Sequence, residues 1–165
     1  ISSRVGRGRQ VAMAVWQLSL FLVPADWPGD PMVSVPEWRR AAQTAILSSG
    51  PAFGPALRSE DEISWGDVDG TLMVVQLVGG GIGEVSLRID VRVLTETMLG
   101  RLGSLMKTCE GVFVTAAGER ATTRDELSAL IARSDAMLFV RDPKAYLLRT
   151  KASSLATKGG RDLDS

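Results

Sequence analysis

The stretch Leu72-Met73-Val74-Val75-Gln76-Leu77-Val78, followed by Gly79-Gly80-Gly81-Ile82-Gly83 and then Glu84-Val85-Ser86-Leu87-Arg88-Ile89-Asp90-Val91-Arg92, decides the fold. Residues 72–78 are almost continuously apolar, which predicts a strand buried on both faces. Residues 84–92 alternate. Val85, Leu87, Ile89 and Val91 face a core, and Glu84, Ser86, Arg88, Asp90 and Arg92 face the other way. The glycines between the two runs supply the turn that joins them as a hairpin.

Working toward the N-terminus, residues 14–23 also alternate, with Trp16, Leu18, Leu20 and Leu22 opposed to Gln17 and Ser19, and predict a strand. Pro24, Pro28, Gly29 and Pro31 then mark a loop. A helix is expected over about residues 36–47, with Ser34 and Glu37 at capping-box spacing and Trp38, Ala41, Ala42, Ala45 and Ile46 as its apolar face. Gly50, Pro51, Gly54 and Pro55 break it. The segment 62–66, Glu-Ile-Ser-Trp-Gly, is a poor strand on composition.

Toward the C-terminus, Thr95 caps a helix reaching Cys109, with Met98, Leu99, Leu102, Leu105, Met106 and Cys109 inward and Gly111 as its closing glycine. Residues 112–115 predict a short strand. Thr123 and Glu126 form a second capping box, whose helix turns Leu127, Leu130 and Ile131 inward. Residues 137–140 read as another buried strand. Asp142-Pro143 reads as N-cap and first residue of a last helix through about Arg149. The expected fold class is α+β: a mixed, mainly antiparallel sheet of about five or six strands with helices mostly on one face. Residues 13–151 form one domain, 1–12 an N-terminal tail and 152–165 a flexible C-terminal tail.

Composition narrows the chemistry. The chain of 165 residues has 19 Lys and Arg against 19 Asp and Glu, which gives no long-range pull toward nucleic acid or anionic lipid. It has no histidine, so the commonest general base and the commonest metal ligand are both missing. Serine–histidine and cysteine–histidine hydrolases are thereby excluded. The single Cys109 cannot form an internal disulfide, and its place on an apolar helix face makes it a core filler. No cofactor and no metal are implied.

Arg4, Arg7 and Arg9 before the apolar run 11–23 imitate a signal peptide, but the alternation and the interruptions at Gln17 and Ser19 favour a strand. Met13 is the more economical start of the natural chain. No run reaches the length of a membrane span. The expected location is cytoplasmic.

Four motifs compete with bland readings. Asp67-Val68-Asp69-Gly70-Thr71-Leu72 matches the nucleophile motif of haloacid-dehalogenase-type phosphatases, in which the first Asp is phosphorylated and the second is the acid/base. Val112-Phe113-Val114-Thr115 resembles that family's second motif. The motif lacks a good preceding strand, however, and neither the later lysine nor the closing acidic pair is present. An aspartate–glycine turn accounts for the same residues. The same two aspartates do not complete a calcium loop, since Val78 stands where its glutamate belongs. Gly79-x-Gly81 resembles a dinucleotide-binding turn, but a strand follows instead of the helix that would hold a pyrophosphate. Arg88, Asp90 and Arg92 share one sheet face. They read either as solvated cross-strand ion pairs or as a polar face that meets a partner or an anionic ligand, with Trp65, Asp67 and Asp69 at its border. Because that face points away from the core, replacing the three together by serine is expected to leave the fold intact.

Ser64-Trp65-Gly66, the Arg88-Ile89-Asp90-Val91-Arg92 core, Ser134-Asp135-Ala136 and Phe139-Val140-Arg141-Asp142-Pro143 together resemble a loosely defined group of small uncharacterised bacterial proteins, some of them similar to immunity partners of secreted toxins. The resemblance covers about residues 14–150. It implies a bacterial cytoplasmic protein that acts by binding another protein, and it carries no catalytic residue. The expected function is therefore a non-catalytic, toxin-neutralising binding domain with Trp65, Asp67, Asp69, Arg88, Asp90 and Arg92 as its site. One alternative is a phosphohydrolase using Asp67 and Asp69. Another is a homodimeric structural protein pairing edge strands.

Overall fold

Strand alternation and helix capping, both local signals, place most elements. A computed structural model describes residues 13–31 and 33–159. Chain order is β1 (Gln17–Pro24), α1 (Arg40–Ser49), a 3-10 turn (Gly50–Phe53), β2 (Ala56–Arg58), β3 (Glu62–Gly66), β4 (Leu72–Val78), β5 (Gly81–Asp90), α2 (Glu96–Cys109), β6 (Gly111–Val114), β7 (Arg120–Ala121), α3 (Arg124–Ala132), α4 (Asp135–Arg141) and α5 (Pro143–Gly159). The class is α+β as expected.

The sheet has seven strands in the order β2-β3-β4-β5-β1-β6-β7, and every neighbouring pair is antiparallel. It is thus larger than expected and not mixed. The two short edge strands β2 and β7 and the underrated β3 account for the difference.

Register explains the layers. Leu20 pairs with Leu87 and Leu22 with Val85 across β1 and β5; Met73 pairs with Leu87 and with Trp65, and Leu22 with Phe113. Directly opposed residues share a face, so these side chains form one wall. With Ile46 of α1, Leu102 of α2 and Leu127, Leu130 and Ile131 of α3 they make one continuous core. The opposite face of β3, β4 and β5 carries half-buried Ser64, Leu72, Val74, Gln76, Ser86 and Arg88. β4 is therefore buried on one face, not two. At the far end of that face Val23, Val112 and Val114 gather under Trp27, whose loop is clasped by Arg120 through the Ala25 and Trp27 carbonyls at 3.1 and 3.4 Å.

Capping fixes three helices where expected. The Thr95 hydroxyl accepts from the Met98 N–H at 3.1 Å, the Thr123 hydroxyl from the Glu126 N–H at 3.1 Å, and the Asp142 carboxylate from the Ala145 N–H at 3.0 Å. The Glu126 carboxylate accepts chiefly from the Thr122 N–H and hydroxyl, with the Thr123 N–H as a weaker partner.

Four expectations fail locally. The first strand begins at Gln17, because residues 15 and 16 turn and Gln17 accepts from the Ala14 N–H. The first helix begins at Arg40, not near Pro36. Trp38 is drawn into the core instead, its indole N–H donating to the Gly83 carbonyl at 3.2 Å, and the Ser34–Glu37 box does not form. Residues 137–140 are helix α4, started by the Ser134 hydroxyl accepting from the Met137 N–H at 3.2 Å; a four-residue apolar run does not by itself separate strand from helix. The helix α2 reaches Cys109 as expected, but Glu110, at φ 52°, and not Gly111 takes the left-handed closing conformation. Gly111 opens β6, where a Cβ would stand 2.9 Å from Cys109 Sγ and 3.1 Å from the Val23 carbonyl.

The last helix starts at Pro143 as expected but continues through Gly159, where a tail was expected from 152. The expected N-terminal tail 1–12 and residues 160–165 lie outside the described residues. Among the described residues no helix is long and apolar enough to cross a membrane.

Candidate binding surface

The six residues singled out from sequence do not form one patch. Trp65 is 6% exposed and lies on the core face, opposite Met73. Gly50 packs directly on its ring, where a Cβ would come within 2.4 Å. Its alternation with Glu62 and Ser64 in β3 gives it the opposite parity to the charged face, so Trp65 is a core residue and not a border of the site.

Asp67 and Asp69 occupy the β3–β4 turn and are exposed. Asp67 Oδ1 accepts from the Asp69 N–H at 2.9 Å, and the Asp67 carbonyl accepts from the Gly70 N–H at 3.1 Å. This is the side-chain-closed aspartate turn that favours a hairpin. Thr115, just beyond β6, is not brought to Asp67, because β4, β5 and β1 lie between their strands. At about 4.8 Å per strand the separation is roughly 19 Å. The residues of the two phosphatase-like motifs therefore do not converge.

The turn does reach the sheet end that bears Asp90. Gln17, which pairs with Asp90 in register, donates its amide to the Val68 and Gly70 carbonyls at 3.2 and 2.8 Å. The Asp90 N–H donates to Thr71 Oγ1 at 3.1 Å. Asp90 itself is 3% exposed. Its carboxylate accepts three bonds from Arg92: the backbone N–H at 3.0 Å, Nε at 2.9 Å and a terminal nitrogen at 2.7 Å. That guanidinium beside Asp90 holds its carboxyl below the usual carboxylate range. Arg92 lies past the end of β5, and its guanidinium carbon stands 4.1 Å from the centre of the Trp16 ring. Asp90 and Arg92 thus lock a corner between β1, β5 and the β3–β4 turn.

Arg88 alone of the three stands free on the sheet face. It pairs in register with Ser19 on β1 and Leu72 on β4, and it makes no ion pair among the described residues. Its surroundings are small hydroxyls and aliphatic side chains, Ser19, Ser86, Leu72 and Val74, all half-buried. Further along β5, Glu84 shares the face, and burial pushes its carboxyl upward. The arrangement offers a shallow surface with one uncompensated cation. Among the described residues no group of three metal-ligating side chains converges.

Two concavities on the helical side escaped the sequence reading. A groove of about 890 Å³ runs between α1 and α2, floored by Ala45, Phe53 and Leu105 and edged by Thr44, Ser48 and Ser104. A second cleft of about 620 Å³ lies beside Trp38, where Asp26, Glu37 and Glu110 approach the C-terminal end of α2. Each depends on how two distant segments pack, and no local pattern announces it. Cys109 lines the second cleft but is only 3% exposed, and burial pushes its thiol up to about 11.

No protein-family model, no curated protein and no solved structure matches this chain.

Proposed function

We propose that this chain is a non-catalytic binding domain whose ligand is another protein, in the manner of an immunity partner that covers a toxin. The observation that carries this reading is Arg88 on the open sheet face. An arginine with no ion pair among the described residues, set among half-buried aliphatic side chains, is a typical interface anchor. A carboxylate on the partner would complete it, and the surrounding face would exclude water from the pair.

The test uses the product of the neighbouring gene as candidate partner. Titration calorimetry is expected to detect a complex that Arg88→Glu abolishes while the variant keeps its melting temperature. A tight complex indifferent to Arg88→Glu would refute the assignment of the surface. Hydrolysis of p-nitrophenyl phosphate by the full chain, lost in a folded Asp67→Asn variant, would refute the non-catalytic reading itself.

A further inference from the structure

The helix α5 and the rest of the chain differ in charge. Residues 143–159 hold four Lys and Arg and no Asp or Glu, whereas residues 13–142 hold eleven Lys and Arg against seventeen Asp and Glu. The helix is therefore +4 and the body −6. The helix also carries unused apolar surface: Leu147, Leu148 and Leu155 are 60%, 61% and 63% exposed. Leu148 and Leu155 are seven residues apart, as are Lys144 and Lys151, so the two pairs run as adjacent stripes along one side. Within its own chain α5 packs chiefly on α4, through the edge-on contact of Tyr146 with Phe139 at 5.5 Å.

The cleft beside Trp38 has the matching chemistry. Asp26, Glu37 and Glu110 supply three carboxylates, and the C-terminus of α2 adds the partial negative charge of the helix dipole. Trp38, Ala41 and Ala42 give apolar lining. Among the described residues the one cation on the rim is Arg39, which approaches Glu110 at 3.9 Å with both side chains largely exposed, a pair of little strength. Among the described residues, none of α5 lines this cleft in the same chain.

We infer that α5 seats in the Trp38 cleft of a second copy of this chain, with Leu148 and Leu155 on the apolar lining and Lys144 and Lys151 against Glu37 and Glu110. This goes beyond the proposed partner binding, which uses the opposite face of the sheet. Exchange in both directions makes a closed two-fold dimer. A 17-residue helix is about 25 Å long. Two such helices, each half covered, bury roughly 1,500 Å² in total, which is the size of a stable interface. Because part of the attraction is ionic, the dimer weakens as salt rises.

Sedimentation equilibrium on the full chain tests this. The expected result is a dimer that the double substitution Lys144→Glu/Lys151→Glu weakens by about a hundredfold or more, and that Glu37→Lys/Glu110→Lys weakens likewise. All four positions are exposed, and circular dichroism checks that each variant is folded. Each variant repels itself, but the two are complementary to one another: mixing them is expected to restore a one-to-one dimer. A monomeric wild-type chain at high micromolar concentration would overturn the inference. So would a dimer indifferent to both substitutions, or two folded monomeric variants that stay monomeric when mixed.

Discussion

Replacing Asp90 by alanine separates a structural charge from a binding one. The carboxylate accepts three hydrogen bonds from Arg92 and is almost wholly buried. Breaking a fully buried pair by removing one partner costs about 3–5 kcal/mol. The Arg92 side chain is 45% exposed, however, and regains water once released, so the cost falls to about 2–3 kcal/mol. For a chain of this size each kcal/mol is about 2–4 °C in Tm, and the expected loss is roughly 5–10 °C by calorimetry at neutral pH. Arg88→Ala, which breaks no ion pair among the described residues, is expected to stay within about 0.5 kcal/mol of wild type.

The pH dependence follows from the sign of the shift. The folded state lowers the Asp90 pKa, so its stabilisation is complete above the unfolded value and is lost as pH falls through the folded one. The gap between wild type and Asp90→Ala should therefore narrow below about pH 4. An Asp90→Ala protein melting within about 2 °C of wild type at neutral pH would refute the reasoning. So would a gap that stays constant into acid. Because Asp90 takes part in the fold, Arg88, Asp90 and Arg92 cannot be replaced together without cost, contrary to the expectation from sequence.

Two further outcomes follow from burial. Cys109, with its thiol pushed up to about 11, should react with a thiol reagent at pH 8 at least about a hundredfold more slowly in native protein than in denaturant; equal rates would contradict its burial. Glu84→Gln should raise Tm at neutral pH but not near pH 3, because the raised carboxyl pKa means that the charged form is penalised in the fold once pH passes the unfolded value. Thermal scans at both pH values check the sign, and a fall in Tm at neutral pH would show that the carboxylate is compensated.

The parts of the fold legible in sequence are those set by neighbours along the chain. The β4–β5 hairpin, α2 with its Thr95 cap and α3 with Thr123 each combine a periodic apolar face with a local stop or start. Legibility failed where a distant partner decided. Trp38 left its expected helix because the Gly83 carbonyl lies across the core. Asp90 and Arg92 read as a solvated stripe, yet the Trp16 ring and the Thr71 hydroxyl that enclose them come from other segments. Trp65 was misplaced at the border of the charged face for a local reason: its parity with Ile63 in β3 turns it inward. Of the three charges grouped on one sheet face from the sequence pattern, Arg88 does lie on the open face. The clefts on the helical side belong to no single segment and had no sequence signature.

The position of β1 bears on how the chain is made. This first strand sits between β5 and β6, pairing residue 17 with 90 and residue 21 with 114. A ribosome adding about 5–20 residues per second delivers the first of those partners roughly 4–15 s after β1 itself. Meanwhile β2 to β5 can zip as a meander, each strand meeting the one just before it. A leucine-rich segment with both edges unsatisfied must then wait during synthesis, a window in which a holding chaperone or a neighbouring nascent chain competes for it.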